Sequence, residues 1–182
     1  LANNEMKCWG NSANGQLGIG STTSQSPPQP VSFGSGAYAT EISLGGESHA
    51  CAIINDGSAR CWGAGQFGRI GDGTGDNKQS PSPVAFSQKF ASNTTAAAIS
   101  AGDQHTCAIL NYGNVSCWGR GYASAIGIGI PLNDNDQNSP QATSSLGVGR
   151  TAENISLGYL FACAILDNGL VSCWGFGVYG QM

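Results

Sequence analysis

Charge is scarce in this sequence. Asp, Glu, Lys and Arg together make up 10% of 182 residues, and only seven of them are Lys or Arg. Those seven stand singly along the chain, so no segment forms the basic patch that neutralising a phosphate backbone requires. With a formal net charge of −4, nucleic acid is not an expected partner. Long amphipathic helices are missing too: no apolar stripe of 3.6-residue period is sustained, and 28 glycines would weaken any long helix. No apolar run is long enough to span a bilayer as a helix, and no secretory leader is visible. The phosphate-cradling pattern GxxxxGK[ST] does not occur, nor does a close CxxC pair of the zinc-binding kind. No cofactor is therefore expected.

Cysteine, by contrast, is present seven times and is strictly placed. Cys51, Cys107 and Cys163 are 56 residues apart, and so are Cys61, Cys117 and Cys173. Each pair is separated by ten residues, and each second cysteine is followed by Trp-Gly. Cys8, in Met6-Lys7-Cys8-Trp9-Gly10, matches a second cysteine without its first. A fixed period of this length marks a repeat architecture in which each unit buries its apolar face on its neighbours. Short apolar runs bounded by Gly, Asn, Asp and Pro make the unit β rather than α.

Turn chemistry gives the pairing within each unit. Asn55-Asp56-Gly57 lies midway between Cys51 and Cys61. A three-residue hairpin loop ending in a left-handed glycine opposes Ile54 to Ser58, Ile53 to Ala59, Ala52 to Arg60 and Cys51 to Cys61. Asn111-Tyr112-Gly113 and Asp167-Asn168-Gly169 oppose Cys107 to Cys117 and Cys163 to Cys173 in the same way. Residues opposed in antiparallel strands lie within disulfide reach, which predicts a bond inside each of the three hairpins. Reduced core thiols and zinc ligands are the alternatives. The wide, regular spacing counts against both.

The repeated order Ile-Ser-x-Gly, His, Cys-Ala-Ile, a turn glycine, Cys-Trp-Gly, then Gly-Gln-Leu-Gly and a proline step resembles the regulator of chromosome condensation repeat. Its elements stand here as Ile42-Ser43-Leu44-Gly45, His49, Cys51-Ala52-Ile53, Asp56-Gly57, Cys61-Trp62-Gly63, Gly15-Gln16-Leu17-Gly18-Ile19-Gly20, Pro28 and Pro30-Val31. The resemblance implies an all-β fold, a β-propeller with blades of four antiparallel strands, usually about seven of them. Phe161 replaces the histidine in one repeat, and one extra residue separates Gly45 from His49. The Gly-Gln-Leu-Gly element reads as Gly65-Gln66-Phe67-Gly68 in one repeat and is hard to recognise in Tyr122-Ala123-Ser124-Ala125-Ile126-Gly127.

About seven blades would need roughly 400 residues. The expectation is therefore a partial propeller of about three to three and a half blades, belonging to a longer chain or completed by other chains. Residues 1–36 form a partial unit, 37–93 and 94–149 two full units, and 150–182 a second partial unit, all within one domain. The missing partner of Cys8 is expected just upstream of Leu1.

Regular hairpin disulfides belong to secreted or surface proteins, so the expected location is extracellular or on the cell surface. Three N-glycosylation sequons accord with this, at Asn93, Asn114 and Asn154. Covalent glycans are thus expected.

Catalytic candidates are few. His49 and His105 share one repeat position and sit on separate blades, which suits structural bonds to neighbouring backbone better than a convergent site. Trp9, Trp62, Trp118 and Trp174 are periodic as well, and read as core between blades rather than a stacking surface. Asp134-Asn135-Asp136-Gln137-Asn138 has alternate oxygen ligands but lacks the glycine and the final Glu of a calcium loop, and Gly71–Asp76 has too few carboxylates. Both read as solvated loops, and no metal is expected. The most variable segments are the loops Ser21–Pro30, Asp72–Pro83 and Pro131–Ser144, where binding would concentrate. The expected function is a non-enzymatic, disulfide-stapled scaffold whose partners are proteins or copies of itself. It would serve as an adhesive or recognition surface, or as a building block of an extracellular assembly or filament. The resemblance also implies an alternative, a regulatory propeller acting as an exchange factor or as an inhibitor of an enzyme.

Overall fold

The structure, a computed structural model, describes residues 4–86, 89–128, 135–143 and 146–180. Its thirteen strands fall into four antiparallel sheets. Strands β1 (Met6–Gly10) and β2 (Gln25–Val31) form the first. Strands β3 (Ala39–Gly45), β4 (His49–Ile54), β5 (Ala59–Gly63) and β6 (Lys78–Pro83) form the second, in that order. Strands β7 (Ala96–Ala101), β8 (His105–Leu110), β9 (Val115–Gly119) and β10 (Gln137–Ala142) form the third. Strands β11 (Ala152–Leu157), β12 (Phe161–Leu166) and β13 (Val171–Gly175) form the fourth.

The hairpin register follows from the turn glycines. Gly57, Gly113 and Gly169 adopt φ of 81°, 83° and 77°, a conformation that only glycine takes without strain. Ile53 faces Ala59, Ala52 faces Arg60 and Cys51 faces Cys61, with equivalent pairs in the next two hairpins. Each opposed cysteine pair is bonded, at a Cα separation of 4.1 Å. Cys8 is free and half-buried. The extra residue before His49 is absorbed by Ser48, which takes a left-handed φ of 66°.

Alternation along the strands sends odd and even residues to different neighbours. Cys51, Ile53 and Cys61 pack with Ile99, Leu110 and Trp118 of the third sheet. Ala50, Ala52, Ile54 and Trp62 pack instead with Val31 of the first sheet and Phe33 just after it. The pattern repeats one step on, where Cys107, Ile109 and Cys117 meet Ile155, Leu166 and Trp174. The Cys51–Cys61 and Cys107–Cys117 disulfides thus each sit in the core between two blades, whereas Cys163 and Cys173, on the fourth sheet, are half-buried. The innermost strands are linked directly: the Ala101 amide donates to Ser43 Oγ at 2.9 Å, and the Leu157 amide donates to Ser100 Oγ at 3.2 Å. This explains the serine of the Ile-Ser-x-Gly element, which bonds backbone of the next blade. Its glycine has a different cause. A Cβ on Gly45 would lie 2.2 Å from the His49 ring and 2.4 Å from the Gly102 carbonyl oxygen.

Two sequence expectations change here. Ser21–Pro30 and Asp72–Pro83 are not loops throughout, nor is Pro131–Ser144, of which residues 131–134 and 144 lie outside the described residues. Their later parts form the outer strands β2, β6 and β10. Proline hides these strands from sequence reading, yet an outer strand tolerates it because one side of its backbone needs no partner. The second change concerns the Gly-Gln-Leu-Gly element. Gly15 and Gly18 match Gly68 and Gly71 in conformation, with φ of 82° and 70° against 79° and 79°. Gly18 lies against Trp62 as Gly71 lies against Trp118. The equivalent of Gly15–Gly20 is therefore Gly68–Gly73, three residues later than Gly65-Gln66-Phe67-Gly68 suggests. In the next repeat it begins at Ser124, whose φ of 62° keeps the turn without glycine.

Candidate protein-interaction face

Antiparallel topology puts the β3–β4, β5–β6, β7–β8 and β9–β10 connections on one face of the blades. The cysteine hairpin turns lie on the opposite face. The first face carries an ordered network that crosses from one blade to the next.

Its root is Arg69, in the β5–β6 connection at the repeat position of Gln16 and Ala125. Its side chain is 1% exposed. Nη1 donates to the Glu47 carbonyl and the Asp103 carbonyl, both at 3.0 Å, and to Glu47 Oε2 at 3.3 Å. Burial pushes the guanidinium below its ordinary pKa, and the Glu47 charge opposes that. Glu47 Oε1 accepts from Gln104 Nε2 at 2.7 Å, and Gln104 Oε1 accepts from Arg120 Nη1. Arg120 then stands over the rings of Phe67, at 4.6 Å from the centroid, and Tyr122, at 5.3 Å. Beyond Tyr122 the ring series continues to Phe176 and Tyr179, with centroid spacings of 6.2 Å at each step. Phe67 holds its place through a left-handed φ of 63°.

A second network lies beneath. Thr106 Oγ1 donates to the Arg69 carbonyl at 2.9 Å, and Trp118 Nε1 donates to the same oxygen at 3.0 Å. With its proton committed, Thr106 accepts from His49 Nε2 at 3.0 Å, which fixes the proton of His49 on that nitrogen. The histidine role is corrected in one respect: His49 bonds a side chain of the next blade, not its backbone. His105 differs again. Ala162 stands where its blade partner would offer a hydroxyl, and both ring nitrogens are buried without a partner among the described residues. Burial lowers His105 to about 4. Burial, with Arg69 and His105 adding, lowers His49 to about 3. Both rings are neutral near pH 7.

The other sequence candidates separate. Trp62, Trp118 and Trp174 lie in the core between blades, whereas Trp9 is 64% exposed. Asn93, Asn114 and Asn154 are all exposed. Asn93 and Asn114 lie on the hairpin-turn side, and Asn154 sits on β11 opposite Ile165. Asp72 is not a solvated loop residue. Its carboxylate meets Lys78 Nζ at 2.9 Å, Thr74 Oγ1 at 2.8 Å and Ser82 Oγ at 3.1 Å, tying the loop to β6. Asp134 lies outside the described residues. Among the described residues no helix is long and apolar enough to cross a membrane. Sequence reading missed the face network, because Arg69, Arg120, Phe67 and Tyr122 follow no common repeat position. The signal available was the break in periodicity after Cys-Trp-Gly, where Asn11, Ala64, Arg120 and Phe176 differ.

Successive antiparallel sheets packed face to face, the two complete ones four-stranded, with the second joined to the third and the third to the fourth through their innermost strands, define a β-propeller built from sequence repeats. The chain belongs to the regulator of chromosome condensation (RCC1) repeat family, whose profiles match residues 8–53, 56–109, 96–123 and 153–181. It is 28% identical to the ultraviolet-B receptor UVR8 of Arabidopsis thaliana, over 100% of this chain and 40% of that protein. It is also 28% identical to the probable E3 ubiquitin-protein ligase HERC3 of Homo sapiens, over 100% of this chain and 17% of that protein. Human WBSCR16 shares the fold at a TM-score of 0.82 and 20% identity, covering 97% of this chain and 44% of that one. Prp20p of Saccharomyces cerevisiae shares it at 0.79 and 18%, covering 97% and 42%. The chain thus spans less than half the length of these relatives.

Proposed function

We propose that this chain is part of a non-enzymatic, extracellular or cell-surface propeller that works by binding protein. The three hairpin disulfides carry the reading. Bonds of this kind persist in oxidising compartments and are rare in the cytosol. Exposed sequon asparagines at Asn93, Asn114 and Asn154 suit N-linked glycans there. Binding to protein is supported by the fold's use elsewhere: Prp20p has binding properties toward Gsp1p and histones, and Kap60 binds the same yeast protein. Within this reading the rigid face around Arg120 favours a recognition surface over a bare structural filler.

The test is to follow the full-length protein in its own cells. The reading expects it in the medium or at the outer surface, with a mobility shift after removal of N-glycans. Recovery from the cytosol, without a shift, would contradict it.

A further inference from the structure

The face network contains one cation that has no carboxylate partner among the described residues. Lys7, Arg69, Lys78 and Arg150 each have a carboxylate within 4.0 Å. Arg120 has none among the described residues. Its Nη1 donates to the Gln104 amide oxygen. The head group is nevertheless fixed. Gln104 is 5% exposed and held by Glu47, which is held by the buried Arg69. Phe67 and Tyr122 flank the guanidinium with their rings. Stacking suits arginine's planar, weakly hydrated head and leaves its edge free for bidentate contact with a carboxylate. Phe176 continues the apolar surface beside it. Arg, Tyr and Phe side chains that are already ordered lose little freedom on binding, and this composition marks the energetic centres of protein interfaces.

We propose that this face is a docking site for an extended segment of a protein partner. An Asp or Glu side chain of that segment pairs with Arg120, and an adjacent apolar side chain packs on Tyr122 and Phe176. The proposal rests on the protein-binding reading above and adds the chemistry of what is bound. The ring planes argue for peptide over sugar: Tyr122 and Phe176 are tilted by 40°, and Phe176 and Tyr179 by 73°, so they offer no common flat platform. The sequons at Asn93 and Asn114 lie on the other side of the blades.

A displayed library of random twelve-residue peptides, panned on the full-length protein, tests this. The expected result is enrichment of peptides with Asp or Glu beside an apolar residue. Arg120→Gln should weaken them at least ten-fold, and Tyr122→Ala by a similar factor. The fold should survive, because Ala64 and Phe176 fill the position of Arg120 in other repeats, and an unchanged melting temperature checks that. Peptides without acid enrichment, or with affinity unchanged by Arg120→Gln, would overturn the proposal. If Tyr122→Ala alone weakened them, the face would remain a protein-binding site with different chemistry. Failure to enrich any peptide would overturn it too, as would glycan-array binding lost in Arg120→Gln.

Discussion

At the scale of single residues, identical repeat positions carry different side chains, and the next blade decides which ones work. His49 meets a threonine hydroxyl, the His105 ring finds no hydrogen-bond partner among the described residues, and the third repeat replaces the histidine with Phe161. The three rings occupy equivalent space, each against the glycine that ends Ile-Ser-x-Gly. His105 therefore contributes a pH dependence. The unfolded chain takes up a proton near the ordinary histidine value of about 6.5, while the folded protein resists until about 4. Stability is full above the unfolded value and is lost as pH falls through that window, by at most about 3 kcal/mol from this group. His105→Phe should flatten the fall in unfolding midpoint between pH 6.5 and 4, read by urea titration at several pH values. Gly102→Ala tests the close approach. Its Cβ would lie 2.5 Å from the Gly158 carbonyl oxygen and 3.0 Å from the His105 ring. A loss of about 1–3 kcal/mol is expected. An unchanged melting curve would mean that the blades are not held this tightly.

At the scale of the element, the cysteine hairpin was legible from its turn alone. Asn-Asp-Gly fixes the loop length, loop length fixes the register, and the register places Cys51 on Cys61. The outer strands were not legible, because Pro27, Pro28, Pro30, Pro81, Pro83 and Pro140 read as loop until an edge position excuses them. The Gly-Gln-x-Gly element misled for another reason. Gly65-Gln66-Phe67-Gly68 imitates it in letters, but the paired left-handed glycines and the contact with tryptophan belong to Gly68–Gly71. Replacing both Cys107 and Cys117 with serine should cost about 2–3 kcal/mol if loop entropy dominates, seen as a lowered thermal midpoint. Arg69 tests the connection between elements. Arg69→Ala leaves four oxygens, on Glu47, Asp103 and Gln66, without their side-chain donor and should cost about 3 kcal/mol. Arg69→Gln, the residue of the equivalent position 16, should cost less. Equal losses in the two variants would show that the guanidinium bonds are not what holds the loop.

At the scale of the whole molecule, repetition builds the scaffold and the breaks in repetition mark where it recognises something. Periodic positions such as Trp62 and Trp118 are spent on blade packing. The aperiodic ones, Arg69, Phe67, Arg120 and Tyr122, converge on one face although they come from two blades. That convergence depends on long-range geometry and could not be read from local spacing. The compartment, in contrast, hangs on one covalent feature. The measurement that tests it most directly is peptide mapping of the protein from its native source, alkylated while denatured and before any reduction. The account predicts linked peptides joining Cys51 to Cys61, Cys107 to Cys117 and Cys163 to Cys173. Alkyl label on those six thiols would contradict it, and with it the extracellular placement of the propeller.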